Sequence, residues 1–167
     1  MLMSNIFVPK TFVDSVFDIN TEMLREKGIK AFVFDIDNTL ATYAMPVPDE
    51  KTALWLKELQ AQGFGVCFAS NNSEKRVKAF AESVGIPYIS RAMKPLKRHL
   101  MRACKNMGAS PGETALVGDQ LFTDVCGGNR MGMYTILVKP ISEVEDGFVK
   151  FKRNFERKMM KKMKGDR

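Results

Sequence analysis

The sequence predicts an α/β domain built on a doubly wound parallel sheet, a three-layer sandwich with helices on both faces. Two observations carry this expectation. Five strand-length apolar runs recur at residues 31–36, 65–70, 87–90, 114–117 and 133–138, and stretches with helical spacing separate them. Polar residues able to do chemistry also collect at the C-terminal ends of these runs, where ligands bind in such sheets.

Residues 1–10 form an extended lead-in ending near Pro9. Residues 11–27 suggest two short helical pieces, one with Phe12, Val13, Val16 and Phe17 and one with Met23 and Leu24, stopped by Gly28. Residues 1–30 are thus expected to be a helical lead-in that covers an edge or face, with membrane contact by Phe12 and Phe17 as the alternative. The run 31–36 is apolar throughout until its acids, as a buried parallel strand is. A helix follows over residues 49–62 with Ala53, Leu56 and Leu59 on one side and Gly63 as its stop. Beyond the second strand, Val77, Phe80, Ala81 and Val84 sit at i, i+3, i+4 and i+7, and Gly85 closes that helix. Pro95 is suited to open the next helix, whose stripe is Leu96, Leu100, Ala103, Cys104 and Met107. The helix after the fourth strand carries Asp124 and a Gly127-Gly128 pair that allows close packing on the sheet. No internal repeat interrupts residues 1–140, which read as one domain; residues 141–167 read as a tail.

Composition narrows the function classes. The chain has 167 residues, is 45% hydrophobic and carries a net charge of +7, which fits a globular domain with a sizeable core. No apolar run approaches the ~20 residues that span a bilayer. The N-terminus lacks a basic segment followed by an apolar block, so a cytoplasmic location is expected. Cys67, Cys104 and Cys126 lie within apolar patterns and read as buried thiols, not a disulfide or zinc framework. One histidine, His99, leaves no multi-histidine metal site and reads as a surface or ion-pair residue. Residues 150–167 hold nine basic and two acidic side chains, whereas residues 1–149 hold 17 of each. The excess positive charge belongs to the tail.

Asp35 and Asp37 close the first strand, and residues i and i+2 of a strand share a face. Two close carboxylates repel, so such a site must protonate one or recruit a cation. Bound Mg²⁺ with a phosphate nearby would serve both acids; taken alone, the motif also fits a turn or a helix cap. Ser70 follows the second strand, Lys94 lies beside the third and Asp119 follows the fourth. A nucleophile, a second acid, a hydroxyl donor, a fixed cation and a third carboxylate are the parts that phosphoryl transfer requires. Each has a plainer reading: Ser70 as a helix cap, Lys94 as a solvated lysine, Asp124 as a helix-surface acid, Trp55 as packing.

Four motifs, Asp35-Ile-Asp37-Asn-Thr39-Leu, Ser70-Asn71-Asn, Lys94-Pro and Gly118-Asp119-Gln-Leu-Phe-Thr-Asp124, occur in this order. Together they resemble the haloacid-dehalogenase-like phosphatase superfamily, with its Rossmann-like core. The resemblance implies that Asp35 is the nucleophile of an aspartyl-phosphate intermediate and Asp37 the general acid and base. It implies that Ser70 and Lys94 serve catalysis and that Thr39, Ser70, Asn71 and Lys94 form the phosphate site. It assigns Mg²⁺ to the Asp35 and Asp119 carboxylates and the Asp37 carbonyl, with Asp124 acting through a metal-bound water or Lys94.

Residues 41–48 and 91–93 leave no room for an inserted cap domain, so an open site and large or surface-borne substrates are expected. In the tail, Phe148, Phe151, Phe155, Met159 and Met163 line one helical stripe with basic residues around it. This basic amphipathic pattern fits an anionic membrane surface, a nucleic acid or a partner groove; alternatively the stripe docks on the sheet. Pro9-Lys-Thr-Phe-Val-Asp-Ser-Val-Phe-Asp-Ile-Asn, the Gly28-Ile-Lys before the first strand and Gly118-Asp119-Gln are similar to a capless group (subfamily IIIA), that of bacterial and mitochondrial phosphatidylglycerophosphate phosphatases. That resemblance implies release of phosphate from phosphatidylglycerophosphate at a peripheral membrane position. The alternatives are a phosphatase for a soluble ester or phosphoprotein, and a nucleic-acid or ribosome-associated protein that binds through its tail.

Overall fold

The structure, a computed structural model, describes residues 5–142. Six parallel strands, β1 (Thr11–Val13), β2 (Ala31–Phe34), β3 (Gly65–Ala69), β4 (Tyr88–Ile89), β5 (Thr114–Gly118) and β6 (Tyr134–Val138), form one sheet in the order β1-β6-β5-β2-β3-β4. The helices are α1 (Thr21–Glu26), α2 (Glu50–Ala61), α3 (Glu74–Val84), α4 (Lys97–Asn106) and α5 (Cys126–Arg130).

Strand alternation sorts the core into two layers. Phe32, Phe34, Val66, Phe68, Ala115 and Val117 face one side, against Leu56 and Leu59 of α2 and Val77, Phe80 and Ala81 of α3. Val33, Cys67, Ala69 and Leu116 face the other, against Leu100, Ala103 and Cys104 of α4. All three cysteines are buried free thiols. Trp55 packs edge-on against Phe17 and Phe34, the structural role expected of it. A Cβ on Gly128 would collide with Thr135 and abut Leu116, so this glycine lets α5 lie directly on the sheet.

Three expectations need correction. Residues 11–13 are a strand, not the start of a helix: Thr11 pairs with Ile136 and Val13 with Val138, which adds a sixth strand. The spacing of Phe12, Val13, Val16 and Phe17 imitates a helix, but pairing with the open edge of β6 decides the local conformation. Among the described residues, 3₁₀ turns at Asn5–Phe7, where an extended start was expected, and at Val16–Asp18, together with α1, are what the lead-in holds of helix. The first helix after β4 opens at Lys97, not Pro95: the Lys94–Pro95 peptide is cis and Leu96 is the extended N-cap residue, half-exposed instead of buried. The segment that carries Asp124 begins as a π turn, Leu121–Val125, before α5.

Helix ends are held as their sequences suggest. Asp49 accepts the Thr52 N–H at 2.8 Å, and Gly85 closes α3 at φ 67°, a region that costs glycine little. Only turns connect β2 to α2 and β4 to α4, so the strand ends stay uncovered by any inserted domain. Among the described residues no helix is long and apolar enough to cross a membrane. The amphipathic pattern of residues 141–167 lies, beyond Ser142, outside the described residues.

Candidate active site

Strand order reverses about β2: β3 and β4 lie to one side, β5 and β6 to the other. The C-terminal end of β2 is therefore the switch point at which such sheets open a crevice. A pocket of about 280 Å³ lies there, lined by Asp35, Asp37, Ser70, Asn71 and Lys94, among others.

Asp35 follows Phe34 directly, and its N–H still donates to the Val117 carbonyl at 2.9 Å. That bond continues the β2–β5 register by one step, to Asp35 beside Gly118, and Asp119 follows directly on β5. The chain then leaves extended pairing. Asn38 turns at φ 61° and donates to the Ala41 carbonyl at 2.7 Å, a conformation asparagine tolerates better than most residues.

On the α4 side, the Lys94 ammonium donates to Asp35 at 2.8 Å and pairs with Asp124 at 2.7 Å, all three groups being buried. Asp124 also accepts the Gln120 N–H at 3.1 Å. Burial pushes the Asp35 carboxyl up to about 7, against the lowering effect of Lys94 and with a further upward push from Asp124. Burial would push Lys94 down, but Asp124 and Asp35 outweigh it and hold the ammonium above its ordinary range. One lysine thus balances two of the site's four buried acids.

On the opposite side, Arg76 from the first turn of α3 reaches Asp37 through Nε at 3.2 Å and Nη2 at 3.0 Å. Asn72 donates to the other carboxylate oxygen at 2.9 Å. Asp35 and Asp37 therefore line one pocket while cations from different layers hold them. Arg76 and Asn72 were not singled out in the sequence. An arginine on a helix carries no signal of its own; only its place one turn after Ser70-Asn71-Asn72, at a strand end, could have suggested it.

Ser70 is buried and its hydroxyl accepts the Asn72 N–H at 3.1 Å; the cap of α3 is Ser73, which accepts the Arg76 N–H at 3.4 Å. Asn71 grips the Lys94 backbone in both directions, accepting from its N–H at 2.8 Å and donating to its carbonyl at 3.1 Å. Thr39 stands behind the pocket and donates to Asp119 at 3.4 Å. His99 is half-buried on α4 and forms no ion pair among the described residues. Tyr43, Gln120 and Thr123 complete the wall.

The donor set suits a hard divalent cation. Asp35, Asp119 and Asp124 each offer an oxygen within 4.8 Å of the others, all buried, and carboxylate oxygens are what Mg²⁺ prefers. Burial first, and the neighbouring Asp124 after it, raise the Asp35 carboxyl, and a cation among these oxygens would offset both. The Asp37 carboxylate lies outside this cluster.

A protein-family model described as mitochondrial PGP phosphatase matches residues 1–142. The chain belongs to this family. It is a phosphatase of the haloacid-dehalogenase type. Among its relatives, the probable phosphatase YqeG of Bacillus subtilis is 40% identical over 164 residues, 98% of this chain and 95% of that protein. Phosphatidylglycerophosphate phosphatase 1 of Arabidopsis thaliana is 29% identical over 151 residues; the match takes in 85% of this chain and 43% of the plant protein. The fold resembles that of the cobalt-bound deoxy-D-mannose-octulosonate 8-phosphate phosphatase from Haemophilus influenzae, with a TM-score of 0.56 at 16% identity. That alignment covers 81% of this chain and 89% of the other. The family assignment and the sheet thus bear out the superfamily expected from the four motifs.

Proposed function

We propose that this phosphatase hydrolyses a phosphomonoester through an aspartyl-phosphate on Asp35, with Mg²⁺ bound, and that its substrate is phosphatidylglycerophosphate. The observation that carries the chemistry is the pairing of Asp35 with Lys94 at 2.8 Å, across one pocket from a second acid, Asp37, with its own partners.

Asp35 attacks phosphorus and the bond to the ester oxygen breaks, dividing one hard displacement into two. Asp37 gives a proton to the departing oxygen, which leaves as an alcohol. Water then attacks the aspartyl-phosphate while Asp37 takes its proton, releasing inorganic phosphate and restoring Asp35. Lys94 and the Ser70 hydroxyl stabilise the oxygens on which charge develops. Asp35, Asp119 and Asp124, with the Asp37 carbonyl, would hold Mg²⁺, which supplies charge neutralisation at the phosphoryl group. Arg76 and Asn72 hold the Asp37 carboxylate in the direction from which it meets the departing oxygen and then the water.

Support for the lipid substrate comes from the family, from relatives that bear the name phosphatidylglycerophosphate phosphatase and from an uncapped pocket. The basic, apolar-striped sequence of the tail fits a peripheral position on an anionic membrane.

The test is phosphate release from phosphatidylglycerophosphate in mixed micelles with Mg²⁺, beside a soluble ester and the Asp35→Asn variant. Fast release from the lipid, slow release from the ester and none from the variant is the expected pattern. Efficient cleavage of the ester without cleavage of the lipid would remove the lipid substrate and leave the chemistry.

A further inference from the structure

Eight large hydrophobic side chains are exposed among the described residues, and they are not evenly spread. Met93, Leu96 and Met101 fall within nine residues of chain beside Lys94, and Tyr43 lines the pocket itself. Met93 is the most exposed, at 57%, and sits at φ 52°. A methionine in the left-handed region is strained, and the loop that imposes it is tied down. Arg91 donates to the Asn72 carbonyl at 3.0 Å, Ala92 to the Ser70 carbonyl at 2.9 Å, and Asn71 grips Lys94. The Met93 side chain therefore projects from a fixed platform at the rim of the pocket.

The same stretch is basic without compensation. Residues 91–106 contain six Lys and Arg and no acid. Lys94 is inside the site; Lys97, Arg98 and Arg102 are exposed on α4 and form no ion pair among the described residues. Glu74, the acid that faces Arg91, is already engaged by Tyr88 and Ser90. Buried Leu100, Ala103 and Cys104 use the inner side of α4, so Met101 stands outward among the cations. At 1.5 Å per residue, Leu96 to Arg102 spans only about 9 Å.

We infer that residues 91–96 and the first two turns of α4 seat the enzyme on an anionic phospholipid bilayer, with Met93, Leu96 and Met101 entering the headgroup layer. Exposed apolar side chains set beside basic ones, here on a loop and the helix it leads into, are the pattern that such a surface binds. Charge complementarity chooses this occupant: an anionic leaflet attracts unpaired Lys and Arg. The contact is separate from that proposed for the tail, and it delivers a lipid-borne phosphate directly to Lys94. Only the identity of what is delivered rests on the proposed lipid substrate.

The experiment uses the full chain with two double variants, Arg98→Glu/Arg102→Glu and Leu96→Ser/Met101→Ser. Neither pair touches the pocket, and unchanged turnover of a soluble ester verifies folding; should one pair fail to fold, the other carries the test. Sedimentation is measured with phosphatidylglycerol-containing and pure phosphatidylcholine vesicles. The wild type is expected to bind the anionic vesicles alone, and each variant to lose at least about tenfold in partitioning, with a matching loss of lipid hydrolysis on vesicles. Variants that bind anionic vesicles like the wild type overturn the inference, as does a wild type that ignores them or binds only RNA. If the lipid is not hydrolysed in micelles yet vesicle binding depends on α4, the substrate assignment fails and the docking surface stands.

Discussion

Arg76 and Asp37 form a two-contact ion pair across the sheet: the guanidinium approaches one carboxylate oxygen at 3.2 and 3.0 Å, while Asn72 takes the other. Arg76 also donates to the Thr42 carbonyl at 3.2 Å, which binds α3 to the loop after the acidic motif. The proposed acid and base thus has its direction fixed by a residue that touches no phosphate. Arg76→Ala should lower kcat by roughly 10- to 100-fold through misplacement of Asp37. The attacking water, unlike the bound ester, is placed only by Asp37, so the second half-reaction should suffer more than the first. Rapid quench would then find more phosphoenzyme at steady state than in the wild type; an unchanged level with normal kcat would show that Asp37 needs no such support.

Lys94 lies between Asp35 and Asp124 in a buried triad. Its removal leaves two buried carboxylates unbalanced, so Lys94→Met should destabilise the metal-free protein by about 3–5 kcal/mol. Urea unfolding in the presence of a chelator measures this. A loss below about 1 kcal/mol would mean that the acids are protonated or solvated in solution.

Gly118 carries a less visible constraint. A Cβ at this position would overlap the Asp124 side chain. Gly118→Ala should move Asp124, loosen Lys94 and cost about 1–3 kcal/mol, along with most of the turnover. Thermal unfolding together with soluble-ester kinetics tests both consequences.

Burial raises the Cys67 thiol to about 12 from an ordinary value of 9.0. The folded state therefore retains a proton that the unfolded chain loses between these values. Stability is unaffected below about pH 9 and falls as pH rises towards 12, because the unfolded state binds fewer protons there. A Cys67→Ala variant should show a shallower loss of stability over that range, and native Cys67 should resist thiol reagents that label it after unfolding.

Much of this was legible in the sequence because the governing signals are local. Phe32-Val33-Phe34 reads as a two-faced buried strand, and the acids that follow it gave the position of the site. Val77, Phe80 and Ala81 gave the inner face of α3 and Gly85 its end. What escaped depends on distance in sequence. Thr11–Val13 becomes a strand only by pairing with β6, some 125 residues away. Arg76 matters only because the end of β2 brings Asp37 within reach. The contact of Thr39 with Asp119 joins residues 80 apart through the loop that Asn38 reverses.

The metal proposal has its own check. Binding to the native site alone stabilises it by mass action, so Mg²⁺ should raise the melting temperature in a concentration-dependent way, and Asp119→Asn should abolish that response. A melting temperature indifferent to Mg²⁺ would argue against the three-carboxylate site.

The central claim is that Asp35 carries the phosphoryl group. The most direct measurement is acid quenching of turnover on a substrate with a labelled phosphate, followed by peptide mapping of the trapped protein. The account predicts label on the peptide that contains Asp35, released by hydroxylamine and absent from the Asp35→Asn variant. Steady turnover with no trapped label, or label on another residue, would contradict it.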